Sequence, residues 1–385
     1  MNRIPLSQLE AGRYISAEAY LDDSYILLSE EVQIDEQLLA RLRRWRFDHI
    51  LSDGEVHDTP PETSASYGDT ASLAAIELGR QDVREMHEAQ EVFTSYIRYT
   101  EQLFGAFLQK GLLPVAAVQE KIRSLIEDTK LRRPYLLRLP ALYTKTSNYI
   151  VDHGVKTAII TVAVAQSLKI PIHRIIEVAT AALLHELGMI RLPPALYLED
   201  RVLSEKERKA INAAPVLGFK TLRGLNFPPQ ICLAVLECRE HIDGSGYPRG
   251  IVGDRISIYG KIVNVASTYA AMASTRPYRP AVDCHSIMKH ILTGANSSFD
   301  HAVVQAITGA LSLFPYGTIV QLTSGHQAEV VDIVPGKPRT PMVRILTDQS
   351  GEPTDTNPVV PTADEEYAIS GVLDHDDARR FRTTP

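Results

Sequence analysis

Two short stretches of this 385-residue chain concentrate side chains that could do chemistry. The first is Ala181-Ala-Leu-Leu-His185-Glu186-Leu-Gly188, where an imidazole and a carboxylate stand side by side at the end of an apolar run. Neighbouring residues diverge by about 100° around a helix, but in its final turn both side chains can lean toward one ion beyond the end. Gly188 then gives the backbone freedom to turn. Taken alone, the pair reads more simply as a core histidine beside an exposed glutamate. The second stretch is Glu240-His241-Ile-Asp243-Gly244-Ser-Gly246-Tyr247-Pro248-Arg-Gly250. Glycines at 244, 246 and 250 suit a tight loop with unusual backbone angles, and Tyr247-Pro248 fixes an aromatic at its exit. Such a loop presents groups instead of packing them.

These stretches need a rigid frame, and the pattern between residues 139 and 313 supplies one. Helices are expected over Tyr149 to Leu168, Ile172 to Leu187, Glu205 to Leu222, Pro229 to Arg239 and Ile258 to Ala273, with further turns to Leu313. Apolar faces such as Ile159, Val162, Ala163 and Gln166 demand partners on several sides, which makes this segment the main core. Upstream, residues 69–138 read as connecting helices, with Leu73, Ile76, Val83, Phe93, Ile97 and Leu103 at helical steps. The basic run Lys130, Arg132, Arg133 and Arg138 at their end reads as a solvated helix end, with contact to an anion or an acidic partner as the alternative.

Residues 1–58 read as a small α+β module: a strand at Tyr25 to Leu28, Asp35 capping a helix from Glu36 to Trp45, and a strand from Phe47 to Leu51. Thr59-Pro-Pro-Glu-Thr-Ser-Ala-Ser then marks residues 59–68 as a linker. After Phe314-Pro315, residues 314–373 alternate as a small β appendage, with strands at Thr318 to Leu322, Glu329 to Ile333 and Pro341 to Leu346, and residues 374–385 form a charged tail. The fold class is mainly α: a helical bundle with a small N-terminal α+β unit and a small C-terminal β appendage.

Composition limits the partners. Forty Lys+Arg against forty-seven Asp+Glu give a formal charge of −7, which argues against binding nucleic acid through bulk charge. No apolar stretch reaches the roughly 18 residues of a membrane span, and the opening Met-Asn-Arg-Ile-Pro-Leu-Ser lacks the core of a secretory signal, so a cytoplasmic location is expected. Cys232, Cys238 and Cys284 read as ordinary buried thiols.

Taken together, the corner His185-Glu186, the loop Asp243-Gly-Ser-Gly-Tyr-Pro, the later Arg276-Pro-Tyr-Arg279, Phe299-Asp300-His-Ala-Val and a helix carrying His153 resemble the HD-GYP family. This is a branch of the HD superfamily of metal-dependent phosphohydrolases, whose active members hydrolyse cyclic di-GMP. The resemblance covers about residues 145 to 312 and implies an HD-type helical bundle. It also implies a two- or three-metal cage that this chain does not reproduce. The family's corner Asp is Glu186, its Lys is Met189, the His of its His-Pro is Ala214, its His-His pair is Cys238-Arg239, and its later Asp is Ser267. His153, His185 and Glu186 remain, a set able to hold a single Fe or Mn ion. Cys238, His241, His173 and Asp243 are chemically suitable for a rearranged cage but are poorly placed for one.

Activating water against a phosphodiester needs a metal and a second positive centre, so the expectation is a catalytically degenerate protein of cyclic di-GMP signalling that binds nucleotide or partner proteins. Arg239, Arg276 and Arg279 are the expected phosphate contacts, unless ion pairs with Glu240, Asp243 or Glu237 absorb Arg239 and Arg276. Asp243, Gly244, Gly246, Tyr247 and Pro248 form the expected docking loop, resembling a family element associated with diguanylate-cyclase domains. A residual phosphodiesterase with a reduced metal site, and a scaffold acting through homodimerisation, are the alternatives.

Overall fold

The computed structural model describes the chain except residues 1, 18, 23–24, 29–33, 35, 45–47, 59–69, 143–148, 199–200, 202, 275–280, 335–336, 355–356, 374–380 and 382–385, and gives backbone only for 20–22, 25–28, 37, 41, 44, 70–83, 139–142 and 198. It divides into two compact units, Met1–Thr70 and Ala71–Pro385. The sequence-expected linker 59–68, the Asp35 cap, Trp45 and Phe47, nearly all of the tail and both Arg276 and Arg279 lie outside the described residues.

The first unit contains β1 (Asn2–Pro5), β2 (Tyr14–Ile15), β3 (Ala19–Asp22), β4 (Tyr25–Leu28), α1 (Glu36–Arg44), β5 (His49–Ser52) and β6 (Val56–His57). Four strands form an antiparallel sheet in the order β1-β5-β3-β4, and β2 pairs with β6. Its core is built from Ile4, Ile15, Ile34, Leu42 and Ile50, among others. Two of these strands and the helix were expected. Strands β1, β2, β3 and β6 were not.

The second unit opens with α2 (Thr70–Lys110), α3 (Val115–Leu131) and α4 (Arg133–Leu142). The bundle follows: α5 (Tyr149–Ser167), α6 (Ile172–Leu184), the short α7 (Ala195–Leu198), α8 (Glu205–Asn212), α9 (Ala214–Gly224), α10 (Pro229–Glu237), α11 (Ile258–Ala273), α12 (Cys284–Thr293) and α13 (His301–Leu311). Helix α5 is its axis. Every residue from Ile150 to Ala165 is buried, and α3, α6, α11 and α13 all pack on it. A helix buried on all sides needs neighbours wrapped around it in this way. The one helix expected from Glu205 to Leu222 is two, because Pro215 has no N–H to give and its ring opposes the carbonyl one turn back, so α8 stops and Pro215 enters the first turn of α9.

The chain ends in a five-stranded antiparallel sheet of order β10-β9-β8-β7-β11, from β7 (Ile319–Leu322), β8 (Gln327–Asp332), β9 (Met342–Ile345), β10 (Val359–Pro361) and β11 (Ile369–Val372). The last two strands were not expected from sequence. The architecture is nonetheless the expected one: mainly α, with small sheets at both ends.

The basic run that closes the connecting helices is not a solvated end. Arg132 pairs with Glu88 at 3.4 Å, Arg133 donates to the Gln166 side chain at 3.2 Å and the Ala310 carbonyl at 3.3 Å, and buried Arg138 pairs with Glu329 on β8. Only Lys130 stays exposed. These guanidiniums tie the α3–α4 junction to α2, and α4 to the bundle and to the terminal sheet. Apart from Asp128, 3.8 Å from Arg132, their partners lie 33 to 191 residues away in sequence, which local charge reading cannot see.

Candidate functional site

Helix α6 ends at Leu184, three residues earlier than its apolar pattern implies. His185 is its C-cap residue, and the chain continues in tight turns closed by Leu187 N–H to the Leu184 carbonyl at 2.9 Å and Met189 N–H to the Glu186 carbonyl at 2.8 Å. This places both side chains beyond the helix end, facing α5. Gly154, next to His153 on α5, permits the approach, since a Cβ there would sit 2.8 Å from the Leu183 carbonyl oxygen. Gly188 does not act as a hinge as the sequence implied: its φ of −70° is open to any residue. It must lack a side chain because a Cβ would lie 1.9 Å from the Ala214 carbonyl oxygen at the start of α9.

The site brings together His153, His185 and Glu186, with one donor atom from each within 4.8 Å of the others. The two Nε2 atoms are 3.2 Å apart, and Glu186 Oε1 is 3.5 Å from His185 Nε2 and 3.8 Å from His153 Nε2. His185 Nδ1 donates to the Ala182 carbonyl at 2.6 Å, which leaves its Nε2 lone pair directed at the site. Burial lowers the His185 pKa, helped by Arg239 and opposed by Glu186, so the ring is held in the neutral form that a cation needs. Ligands about 2.1 Å from one ion stand roughly 3 to 3.5 Å apart, so the imidazole pair already has the spacing of two ligands on one cation. Tyr149 stacks on His153, with ring centroids 5.5 Å apart and 9° between the planes, one helical turn before it.

Among the described residues, the remainder of the expected cage offers no second cation site. Ala214 lines the cavity with a methyl group. The Cys238 thiol donates to the Val235 carbonyl at 3.2 Å, and burial pushes its pKa up to about 12, far from the thiolate that binds metal. Ser267 is buried and donates to the Asn264 carbonyl at 3.0 Å. His241 engages Ser245 at 3.0 Å. Arg239 sits where charge is most needed: its Nη2 donates to Glu186 Oε1, the oxygen nearest both imidazoles. Burial works against its charge, but Glu186 foremost, then Cys238, Tyr247 and Tyr149, hold its pKa above the ordinary value.

The ion pairs expected to absorb Arg239 have another owner. Arg249 pairs with Glu237, and its backbone N–H donates to Glu240 Oε1 at 2.8 Å. Glu240 Oε2 accepts from Ile251 N–H at 3.2 Å, and Glu237 Oε2 from Ser257 N–H at 2.8 Å. These two buried carboxylates clamp the glycine loop instead of facing the cavity. Within the loop, Asp243 Oδ1 accepts from Ser245 N–H at 2.9 Å, Gly244 and Gly250 have φ of +83° and +60°, and Gly246 lies flat against the His241 and Arg239 backbone. Asp243 and Ser245 are exposed. Tyr247, whose peptide bond to Pro248 is cis, donates its N–H to the Arg239 carbonyl at 3.0 Å and turns its half-buried ring into the cavity.

That cavity has a volume of about 470 Å³, and its walls include Tyr149, Tyr197, Arg201, Arg208, Arg239 and Tyr247 beside the His185-Glu186 corner. Sequence reasoning missed Tyr149, Tyr197, Arg201 and Arg208. Tyr149 had a signal in its four-residue spacing from His153; the others had none. Arg201 is held by two bonds to Glu207 at 2.7 and 3.0 Å, and Glu207 also closes a capping box with Ser204 at the start of α8. These contacts, Arg201 first, bring the Glu207 pKa down to about 2. Among the described residues, no helix is long and apolar enough to cross a membrane.

The sequence profile of the HD domain matches residues 137–303. A cyclic di-GMP phosphodiesterase of Borreliella burgdorferi is 30% identical over 220 residues, 57% of this chain and 57% of that protein. The chain thus spans little more than half of that relative's length. A cyclic di-GMP phosphodiesterase of Pseudomonas aeruginosa is 24% identical over 355 residues, 90% of this chain and 85% of its own length. Among solved structures, an HDG"Y"P protein of Bdellovibrio bacteriovorus covers 80% of this chain and 97% of its own at 16% identity, with a TM-score of 0.42. The axial helix, the His-Glu corner and the clamped Gly-Tyr-Pro loop thus all lie within the segment that matches the HD domain.

Proposed function

We propose that this chain is a receptor for a phosphodiester messenger, with cyclic di-GMP as the first ligand to test, and that its HD domain recognises the ligand without efficient hydrolysis. The observation that carries this reading is the Arg239 guanidinium seated on Glu186, at a position where active relatives of the motif would place a metal ligand. A guanidinium binds phosphate oxygens in a fork and needs no cofactor. Three tyrosines on the cavity wall suit flat, aromatic groups attached to that phosphate. Arg276 and Arg279 complete the phosphate contacts in this reading. The relatives named as cyclic di-GMP phosphodiesterases supply the ligand class.

Calorimetry with cyclic di-GMP tests the reading. Binding is expected in the wild type, weakened roughly 10- to 100-fold in Arg239→Ala, as fits the loss of a charge-assisted contact of about 1.5–3 kcal/mol. Absence of heat in the wild type would refute the nucleotide receptor and leave the scaffold and protein-docking readings.

A residual phosphodiesterase is the second reading, favoured by the convergence of His153, His185 and Glu186. These residues would hold one Fe or Mn ion, which would supply Lewis acidity toward a phosphoryl oxygen. Turnover of cyclic di-GMP with added manganese or iron, at a rate abolished by His185→Ala, would establish it over the receptor reading. For the glycine loop, exposed Asp243 and Ser245 leave room for a diguanylate-cyclase domain as partner. Tyr247→Ala with Pro248→Ala should then reduce capture of such a domain in a pull-down, and unchanged capture would refute it.

A further inference from the structure

Two groups compete for the charge of one oxygen atom. Glu186 Oε1 is the carboxylate atom nearest His153 Nε2 and His185 Nε2, and the same atom accepts from Arg239 Nη2. A cation bound by the two imidazoles and Glu186 would lie beside the guanidinium, so like charges would meet at short range in a largely buried site. Glu186 is 11% exposed at its side chain, and both histidine side chains are 0% exposed, so water screens little of that repulsion. Arg239 is different. Its side chain is 27% exposed and it lines the cavity, so it has room to turn toward a ligand there.

We propose that Arg239 couples two ligands of opposite charge. A phosphate-bearing ligand in the cavity draws the guanidinium off Glu186, and the released carboxylate completes a divalent-cation site with His153 and His185. The coupling runs both ways, because linkage requires a cation that captures Glu186 to free Arg239 for phosphate by the same factor. The ion pair is therefore a latch that closes both sites when both are empty. This inference rests on the receptor reading above.

Manganese affinity of the full chain, measured by electron paramagnetic resonance of free Mn²⁺, tests it without any turnover. In the wild type, saturating cyclic di-GMP should tighten Mn²⁺ about tenfold, within the usual range of coupling between sites. In Arg239→Ala, Mn²⁺ should already bind about tenfold tighter with no nucleotide, and added nucleotide at concentrations where it still binds should tighten it by less than twofold. If nucleotide instead tightens Mn²⁺ equally in Arg239→Ala, the two ligands touch directly and the latch is refuted. Glu186→Gln, which keeps the side-chain shape, provides the converse: cyclic di-GMP should bind several-fold tighter than in the wild type, because no carboxylate restrains Arg239, while Mn²⁺ binding is lost. Calorimetric binding of cyclic di-GMP with unchanged Mn²⁺ affinity overturns the latch and leaves the receptor reading standing. No binding of cyclic di-GMP overturns both.

Discussion

Gly188→Ala is expected to destabilise the HD domain by about 3 kcal/mol or more, lowering its melting temperature by about 10 °C. The added Cβ would lie 1.9 Å from the Ala214 carbonyl oxygen, 2.8 Å from the Ala214 carbonyl carbon and 2.9 Å from Gly218 N. All three are backbone atoms of α9, so no side chain can swing away to make room, and the helix must shift as a body. Ala214 lines the cavity, and Gly188 is two residues beyond Glu186, so the same shift should also weaken ligand binding. Gly105→Ala on α2 is the control. A Cβ there meets nothing within 4 Å, and replacing a mid-helix glycine should stabilise by about 0.5–1 kcal/mol. Thermal melts of the two variants should therefore move in opposite directions. A Gly188→Ala melt within a degree or two of the wild type would show that α9 is not held against the corner as described.

Lys156→Ala is expected to cost about 3–5 kcal/mol, although it touches neither cavity nor loop. Lys156 Nζ pairs with Asp152 at 2.9 Å and donates to Ser274 Oγ at 3.1 Å, with side-chain exposures of 0% and 6% for Lys156 and Asp152. Truncating the lysine leaves a carboxylate in the core. Replacing both partners, as in Asp152→Leu with Lys156→Met, removes the whole charged pair and should cost far less than the single change.

The penalty should depend on pH. Burial raises the Asp152 pKa, and Lys156 is what opposes the rise. Without the lysine, the folded-state pKa climbs further above the unfolded value of about 3.9. A carboxyl group with a raised folded pKa favours folding below the unfolded pKa, and that advantage is lost as pH rises through the folded value. The Lys156→Ala deficit should therefore be smallest near pH 4 and largest at neutral pH. Denaturant unfolding of variant and wild type across that range checks it, and a deficit independent of pH would mean that Asp152 finds another partner.

The first prediction depends on a contact between elements and the second on how fully other helices bury a pair within α5, and that is where sequence reading stopped. The helices of the bundle were legible because long apolar segments such as α5, α6 and α11 carry their period in themselves. The start and end of α11, Ile258–Ala273, agree with expectation to the residue, since Ser257 caps it through Gly260 N–H. The end of α6 does not, because His185 caps the helix and the chain leaves it in tight turns at Leu187 and Met189 that the local pattern does not announce. His153, His185 and Glu186 were recognisable from motif resemblance, and the structure brings their donor atoms together.

By itself, the sequence determined which side chains exist to do chemistry: two imidazoles and a carboxylate, a glycine loop, and the replacement of cage positions by Ala214, Cys238, Arg239 and Ser267. It also determined the helical frame, since side-chain periodicity is a local property. Only the tertiary structure decided the partners. It gave Glu237 and Glu240 to Arg249 and the loop, gave Glu186 to Arg239, and turned Tyr149, Tyr197, Arg201, Arg208 and Tyr247 toward one cavity. Electrostatic pairing acts through space, and which of several cations reaches a given carboxylate depends on distances set by helices far apart in the chain.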